Sequence, residues 1–410
     1  MTDTPTFLVD QALLPTEFYE DPYPYFRELR EQDPVHWSEP LDCWLVTRYE
    51  DAMTVLQDWK RFSSVGQVSG LIDRLPAEQR KELEPIRNHF ATNGLINSDP
   101  PQHTRLRNAV NPAFLRPQIE RLRPEIQSII DGLLDAVQEP DEFDLIADVA
   151  YLLPTTVITK MLGVPTEDRG LFNTWVDEIN NFLGTPSAEF DKGMQAQESL
   201  LKLREYYAEL REQRRAEPRE DLISWLNTAQ DRGEIADDGE FMVTCVTLLA
   251  AGYETTMSLI GNSLYSLLRN RDQFDLLKGD PSLTTGAVEE LLRYESPVQR
   301  RVRTATQDVE IAGHSIRKGQ LVVTLLGAAN RDPAHFPDPD RLDLTRKENK
   351  HIAFGVSRHL CVGAPLARLE GQLALTTILR RFPNLRLTDN PPKWRENVLV
   401  RGMTTLPVMA

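Results

Sequence analysis

Cysteine is scarce in this chain. Cys43, Cys245 and Cys361 are the only three in 410 residues, far apart and never in a C-x-x-C arrangement. That argues against a disulfide framework or a cysteine-built zinc or iron–sulfur site, and fits a reducing compartment. Positive charge is also in deficit. Forty-six Lys and Arg stand against 62 Asp and Glu, a formal net charge of -16, which argues against a general binder of nucleic acid. No apolar run reaches the ~18 residues of a membrane span. The strongest candidate, Phe241 to Ala251, is shorter and carries two threonines. The start, Met1-Thr2-Asp3-Thr4-Pro5, lacks the basic residues and apolar core of a signal peptide. A soluble, cytoplasmic protein bound to neither membrane nor nucleic acid is the expectation. Internal repeats, low-complexity linkers and a nucleotide-binding glycine fingerprint are absent as well.

What is present is long helical periodicity. Pro22–Gln32, Tyr49–Leu56, Arg121–Val137, Leu145–Leu162, Asp168–Phe182 and Gln195–Arg214 place apolar residues at i, i+3, i+4 spacing. Glu240–Arg269 is the longest and most apolar stretch, which predicts a helix buried through the centre. Further helices are predicted at Thr285–Tyr294 and Ala364–Arg381, the latter with Pro365 in its first turn. Strand-like pieces occur at His36-Trp37, at Trp44–Thr47, at Val309–Ile311 and at Leu321–Leu325, the last two read as joined through Gly313 and Lys318-Gly319. The predicted class is mainly α with small β-sheets. One domain is expected over 1–410, with a β-containing part at about 1–65 and small strands near 309–325 and 385–408.

Three short stretches carry chemistry. Phe354-Gly355-Val356-Ser357-Arg358-His359-Leu360-Cys361-Val362-Gly363 sets one cysteine between glycines, just ahead of a helix. A helix N-terminus favours a thiolate, and glycines admit close approach of a flat ligand. Phe354 can shield the sulfur. Ala251-Gly252-Tyr253-Glu254-Thr255-Thr256 places a glycine, an acid and a hydroxyl inside the apolar helix. Gly there costs about 1 kcal/mol relative to Ala, so the space is needed; Thr255 can also bond back to the carbonyl of Ala251. Glu290 and Arg293, three apart, share a helix face.

These segments resemble the motifs of the cytochrome P450 family, of the soluble bacterial type. The cysteine stretch is similar to F-G-x-G-x-[HR]-x-C-x-G, departing only at Ser357, where the family has glycine. The helical stretch resembles A-G-x-[DE]-T, and Glu290 to Arg293 resembles E-x-x-R. The likeness runs from about Tyr19 to the C-terminus. It implies the P450 fold, with a long helix over haem b (iron protoporphyrin IX) and the cysteine loop beneath. It implies Cys361 as axial ligand of the iron, with Phe354, Gly363 and Ala251 beside the macrocycle. His103, Arg107, Arg303 and His359 fall at the positions that hold the haem carboxylates. Glu254 and Thr255 would deliver protons in a kinked, loosened helix, and Arg341 would complete an ion network with Glu290 and Arg293. By family position, Phe90, Leu95, Ile96, Leu248, Val298, Gln299 and Val400 line a mainly apolar substrate pocket.

The implied activity is monooxygenation: one atom of O2 enters a small, mostly apolar substrate by hydroxylation or epoxidation. A peroxide-driven peroxygenase of the same fold and a non-catalytic haem sensor or carrier are the alternatives. The chain has no flavin or iron–sulfur segment of its own, so a ferredoxin and an NAD(P)H-linked reductase are the expected electron donors. Arg105, Arg116, Lys350 and Arg358 would form their docking face. Arg300 and Arg301 lie near the pocket and could meet a substrate carboxylate. A monomer acting in secondary metabolism is expected.

Overall fold

The computed structural model describes residues 14–67, 69–137, 142–185 and 189–410; expectations placed on residues 1–13 lie outside the described residues. A 32-residue helix, Asp238–Arg269, runs through the middle. Asp237 caps it, accepting a hydrogen bond from the Glu240 N–H at 2.9 Å, and Asp238 and Glu240 put negative charge in its first turn. Its apolar residues are buried nearly all round, including Phe241, Cys245, Leu249, Met257, Ile260 and Leu264. Each such side chain contributes ~1.5–3 kcal/mol by leaving water. The helices Leu152–Leu162, Thr284–Tyr294 and Ala364–Arg381 pack on it. By length and composition the central helix could cross a membrane, but 72% of its apolar window is packed inside the protein.

The long periodic segments become helices close to the predicted bounds, such as Arg169–Leu183, Phe190–Ala216 and Ala364–Arg381. The reading of Leu145–Leu162 as one helix is refined. A five-residue π turn, Ile146–Ala150, precedes an α-helix from Leu152, which puts Pro154 in the first turn, where a missing N–H costs little. Helices at Glu84–Ala91, Gln102–Val110, Leu222–Asp231 and Arg271–Gly279 add to the predicted set.

A five-stranded sheet stands at one side. Val35–Ser38 pairs with Cys43–Val46, which runs parallel to Leu321–Leu325; Arg300–Ala305 and Phe62–Ser63 complete it. Val309–Ile311 does not join Leu321–Leu325, as the sequence reading had it. It forms a hairpin with His314–Ile316, turned by Ala312 and Gly313 at φ 49° and 86°, the left-handed pair such a tight turn requires.

Behind the central helix lies a buried ion cluster. Arg293 donates to both oxygens of Glu290 at 2.8 Å and to the carbonyls of Asn330 and Pro339 at 3.0 and 2.8 Å. The second arginine on Glu290 is Arg346, at 3.1 Å, not Arg341. Arg341 offers only its backbone carbonyl, and its side chain is exposed. The chain reverses between the two, so the later arginine is the one returned to Glu290. Desolvation offsets much of such a cluster's attraction, so its main effect is to fix one arrangement of the segments it ties.

Candidate active site

Cys361 sits where the irregular stretch after Ile352 meets the helix Ala364–Arg381. The loop closes on itself: the Cys361 N–H donates to the Phe354 carbonyl at 2.9 Å, and the Gly355 N–H to that of Ile352 at 2.8 Å. Gly355 is at φ 69°, and a Cβ there would stand 3.3 Å from the His359 carbonyl oxygen, so only glycine fits without strain. The sulfur receives the N–H groups of Gly363 and Ala364. Burial pushes the thiol up; those donors, with Arg301 and Arg107, pull it back down. Its exposed surface is the wall of an internal cavity.

Ser357 holds φ 57°, and its hydroxyl forms no hydrogen bond with the described residues. A left-handed serine costs ~1–2 kcal/mol, partly offset because glycine loses more freedom on folding, by ~0.5–1 kcal/mol. Ser357→Gly is therefore expected to raise stability by up to about 1 kcal/mol in calorimetry of the loaded protein. A fall would show that the hydroxyl has a role of its own.

The cavity over Cys361 gathers cations. Arg107, Arg301 and Arg303 line it, together with the His359 imidazole. Arg107 donates to Asn111 Oδ1 at 2.7 Å, and Arg303 to the Val302 carbonyl at 2.7 Å. Among the described residues no ion pair joins Arg107, Arg301 or Arg303 to a carboxylate. Burial lowers all three, Arg303 to about 10, where Arg301 also contributes. His359 bonds Ser64 Oγ at 3.0 Å and packs on His103, ring centres 4.1 Å apart. Burial, with Arg303 beside it, pushes His359 down to about 3. Burial and Arg107 push His103 to about 4; its Nε2 is buried without a partner. Three guanidiniums without a carboxylate partner and an orphaned imidazole nitrogen suit a group bearing two carboxylates.

The opposite wall is the central helix. Ala251, Gly252 and Thr255 line the cavity. The helix is continuous here, and Thr255 Oγ1 donates to the Ala251 carbonyl at 2.8 Å, the back-bond that the sequence allowed. Gly252 meets a neighbour as well: a Cβ would lie 2.9 Å from Ile158 Cγ1 on the helix Leu152–Leu162. Glu254 points away from the cavity into a buried polar cluster. Arg395 Nη1 lies 3.3 Å from its Oε1 and 4.0 Å from Asp177 Oδ1. Tyr253 and Tyr151 both donate to Asp177, Tyr151 at 3.2 Å. Burial pushes Glu254 up to about 7, against the pull of Arg395 and with Asp177 adding to the rise. Asp177 keeps 30% of its side chain exposed, so the cluster leads from water to the acid behind Thr255.

The structure brings Cys361, Phe354, Gly363, Ala251, Thr255, Arg107, Arg303 and His359 around one cavity, with Leu95, Ile96, Leu248 and Val298. His103 stands behind His359. Phe90 lines a second, outer cavity that shares Ile96, Thr247 and Arg301 with the first. Gln299 and Val400 line neither. Gln299 turns back to donate to the Ser296 carbonyl at 2.7 Å, and Val400 is buried beside Val298, to which it pairs by a β-bridge. Arg105 is also withdrawn from the expected docking face, because its fork is committed to Glu240 at 2.6 and 2.8 Å. Asp177 and Arg395 enter the site without a sequence motif to announce them, and Arg301, read from the sequence as near the pocket, lines the cavity over Cys361.

The cytochrome P450 family model matches residues 39–278 and 281–407, and the chain belongs to this family. Cytochrome P450 107B1 of Saccharopolyspora erythraea is 41% identical, with 95% of each chain covered. The polyketide biosynthesis cytochrome P450 PksS of Bacillus subtilis is 37% identical over 96% of each. Among solved structures, P450BioI in complex with an acyl carrier protein ligated to hexadec-9Z-enoic acid superposes with a TM-score of 0.88 at 34% identity, covering 96% of this chain and 99% of that one. The protein is thus a haem-thiolate monooxygenase whose cofactor is haem b, and the cationic cavity over Cys361 fits that group.

Proposed function

We propose that Cys361 is the axial thiolate of the haem iron and that Arg107, Arg301, Arg303 and His359 hold the two haem carboxylates, His103 backing His359. The observation that carries this is the convergence of otherwise unpaired cations on the one cavity that contains Cys361. Bound there, haem supplies reductive activation of O2 and transfer of one oxygen atom to the substrate, the other leaving as water. The residues do the rest. The N–H groups of Gly363 and Ala364 hold negative charge on the sulfur. Leu95, Leu248 and Val298 exclude water and orient a small, mainly apolar substrate. Thr255 presents a hydroxyl to the cavity, and Glu254, its carboxyl held by Arg395, is the acid that resupplies the proton, taken up from water at the exposed edge of Asp177.

Electrons come, in this reading, from a ferredoxin and its reductase, docking around the exposed Arg116, Lys350 and Arg358. Leu115 and Leu360 are exposed on the same cysteine side and give that face an apolar centre, a feature not sought in the sequence. The helix Arg116–Arg121, which follows Leu115, packs on the one that starts after Cys361. A monomeric, cytoplasmic enzyme folded as one unit accords with this, and PksS, named for polyketide biosynthesis, supports a place in secondary metabolism. The acid–hydroxyl pair favours O2 over peroxide as oxidant. Oxygen uptake with substrate is therefore expected to need ferredoxin, reductase and NAD(P)H. Turnover with hydrogen peroxide alone at an equal rate would favour a peroxygenase, and no uptake with any donor a carrier.

A further inference from the structure

The outer cavity has a charge pattern of its own. Arg300, Arg301 and Arg74 line it, and among the described residues no acidic side chain does, in a chain that carries a net charge of -16. Arg74 is occupied, donating to the Leu41 carbonyl at 2.9 Å with Asp42 at 3.8 Å. Arg301 reaches the inner cavity and belongs to the cations over Cys361. Arg300, at the start of the strand Arg300–Ala305, lines the outer cavity and not the inner one. Its side chain forms no hydrogen bond or ion pair with the described residues, and its Nε is buried without a partner. Gln67 lines the same cavity, and its Nε2 is likewise buried and unpartnered. The walls between are apolar: Phe90, Leu183, Val243, Val323 and Val398.

A guanidinium whose Nε is buried without an acceptor is costly. An unsatisfied amide in the same cavity adds to the cost. Two such donors in one mainly apolar cavity, which borders the reaction site at Ile96, Thr247 and Arg301, are complementary to an anion carried on an apolar body. The Arg fork with one amide donor matches the two oxygens of a carboxylate. Resting on the monooxygenase reading of this site, we propose that the substrate is an apolar carboxylic acid. Its carboxylate is held by Arg300 and Gln67 in the outer cavity, and its apolar part extends past Ile96 and Thr247 towards Cys361. The carbon presented for oxidation is then remote from the carboxyl group.

The test is titration of the ferric, haem-loaded enzyme with straight-chain carboxylic acids, following the low-spin to high-spin shift. Methyl esters, primary alcohols and alkyl phosphates of matched length run alongside. The acids should bind about tenfold or more tighter than their esters and alcohols, the scale of a buried charge-assisted hydrogen bond. Arg300→Gln should bring the acids down to ester affinity, and Gln67→Leu should weaken acids by a smaller factor. The ester titration and the reduced carbon monoxide band of each variant control for folding and haem loading. Equal affinity for acids and esters, tighter binding of the phosphates, an unchanged preference in Arg300→Gln, or no shift with any acid overturns the proposal. A wild-type enzyme without the thiolate carbon monoxide band would instead strike at the monooxygenase reading, so the two failures are distinguishable.

Discussion

Cys361→Ala is expected to abolish the red-shifted Soret band of the reduced carbon monoxide complex and to lower turnover by about three orders of magnitude or more. The effect is large because nothing else in the cavity can replace the sulfur. Cys43 lines only the outer cavity and Cys245 is buried in the helical core. The other cavity groups are three guanidiniums, the His359 imidazole that bonds Ser64, three threonine hydroxyls and apolar carbons, with no second sulfur. Cys361→Ser keeps the size of the side chain and both backbone donors, so it separates geometry from electronics. Its haem should still load, since Arg107, Arg301 and Arg303 are untouched, but the red-shifted band should be gone. The measurement is the reduced-minus-oxidised carbon monoxide difference spectrum at equal haem content. A serine variant that retained the red-shifted band would sink the assignment of Cys361.

The parts of the site that the sequence announces are those whose residues lie within one turn or one loop. Glu254 and Thr255 are adjacent, Cys361 has its shielding Phe354 and its donor Gly363 within ten residues, and Glu290 reaches Arg293 along one helix face. Local backbone geometry fixes such relations, so spacing reports them. The long helices were legible for a similar reason, since their apolar periodicity is local. What stayed hidden depends on how distant segments return. Arg346 rather than Arg341 meets Glu290 because the irregular chain after Pro339 folds back over it. Arg395 meets Glu254 across 141 positions. Two-residue strands such as Phe62–Ser63 and Phe143–Asp144 are too short to show a period. Gln299 illustrates the converse: adjacent to Val298 in sequence, it faces the Ser296 carbonyl, because neighbouring positions of an extended chain point opposite ways.

Glu254→Gln is expected to lower coupled turnover about 100-fold, the scale of one lost proton-transfer group, while substrate binding by spin shift is retained. The pH dependence makes the role testable apart from any structural one. Burial raises Glu254 from 4.5 to about 7, so the fold favours the neutral acid. That contribution is complete below the unfolded value and is lost as pH rises through the folded one. Wild-type stability should therefore fall by roughly 3 kcal/mol relative to the glutamine variant between about pH 4.5 and pH 8. The turnover of the wild type should show a limb near pH 7 that the glutamine variant lacks. The neighbours set its direction. Arg395 lowers the carboxyl and Asp177 raises it, so Arg395→Ala should move the limb to higher pH and Asp177→Asn to lower pH. Opposite shifts from two residues that never touch the cavity would assign the limb to Glu254. If both variants left the limb where it is, protons would have to reach Thr255 by another route, and Glu254 would be a structural acid.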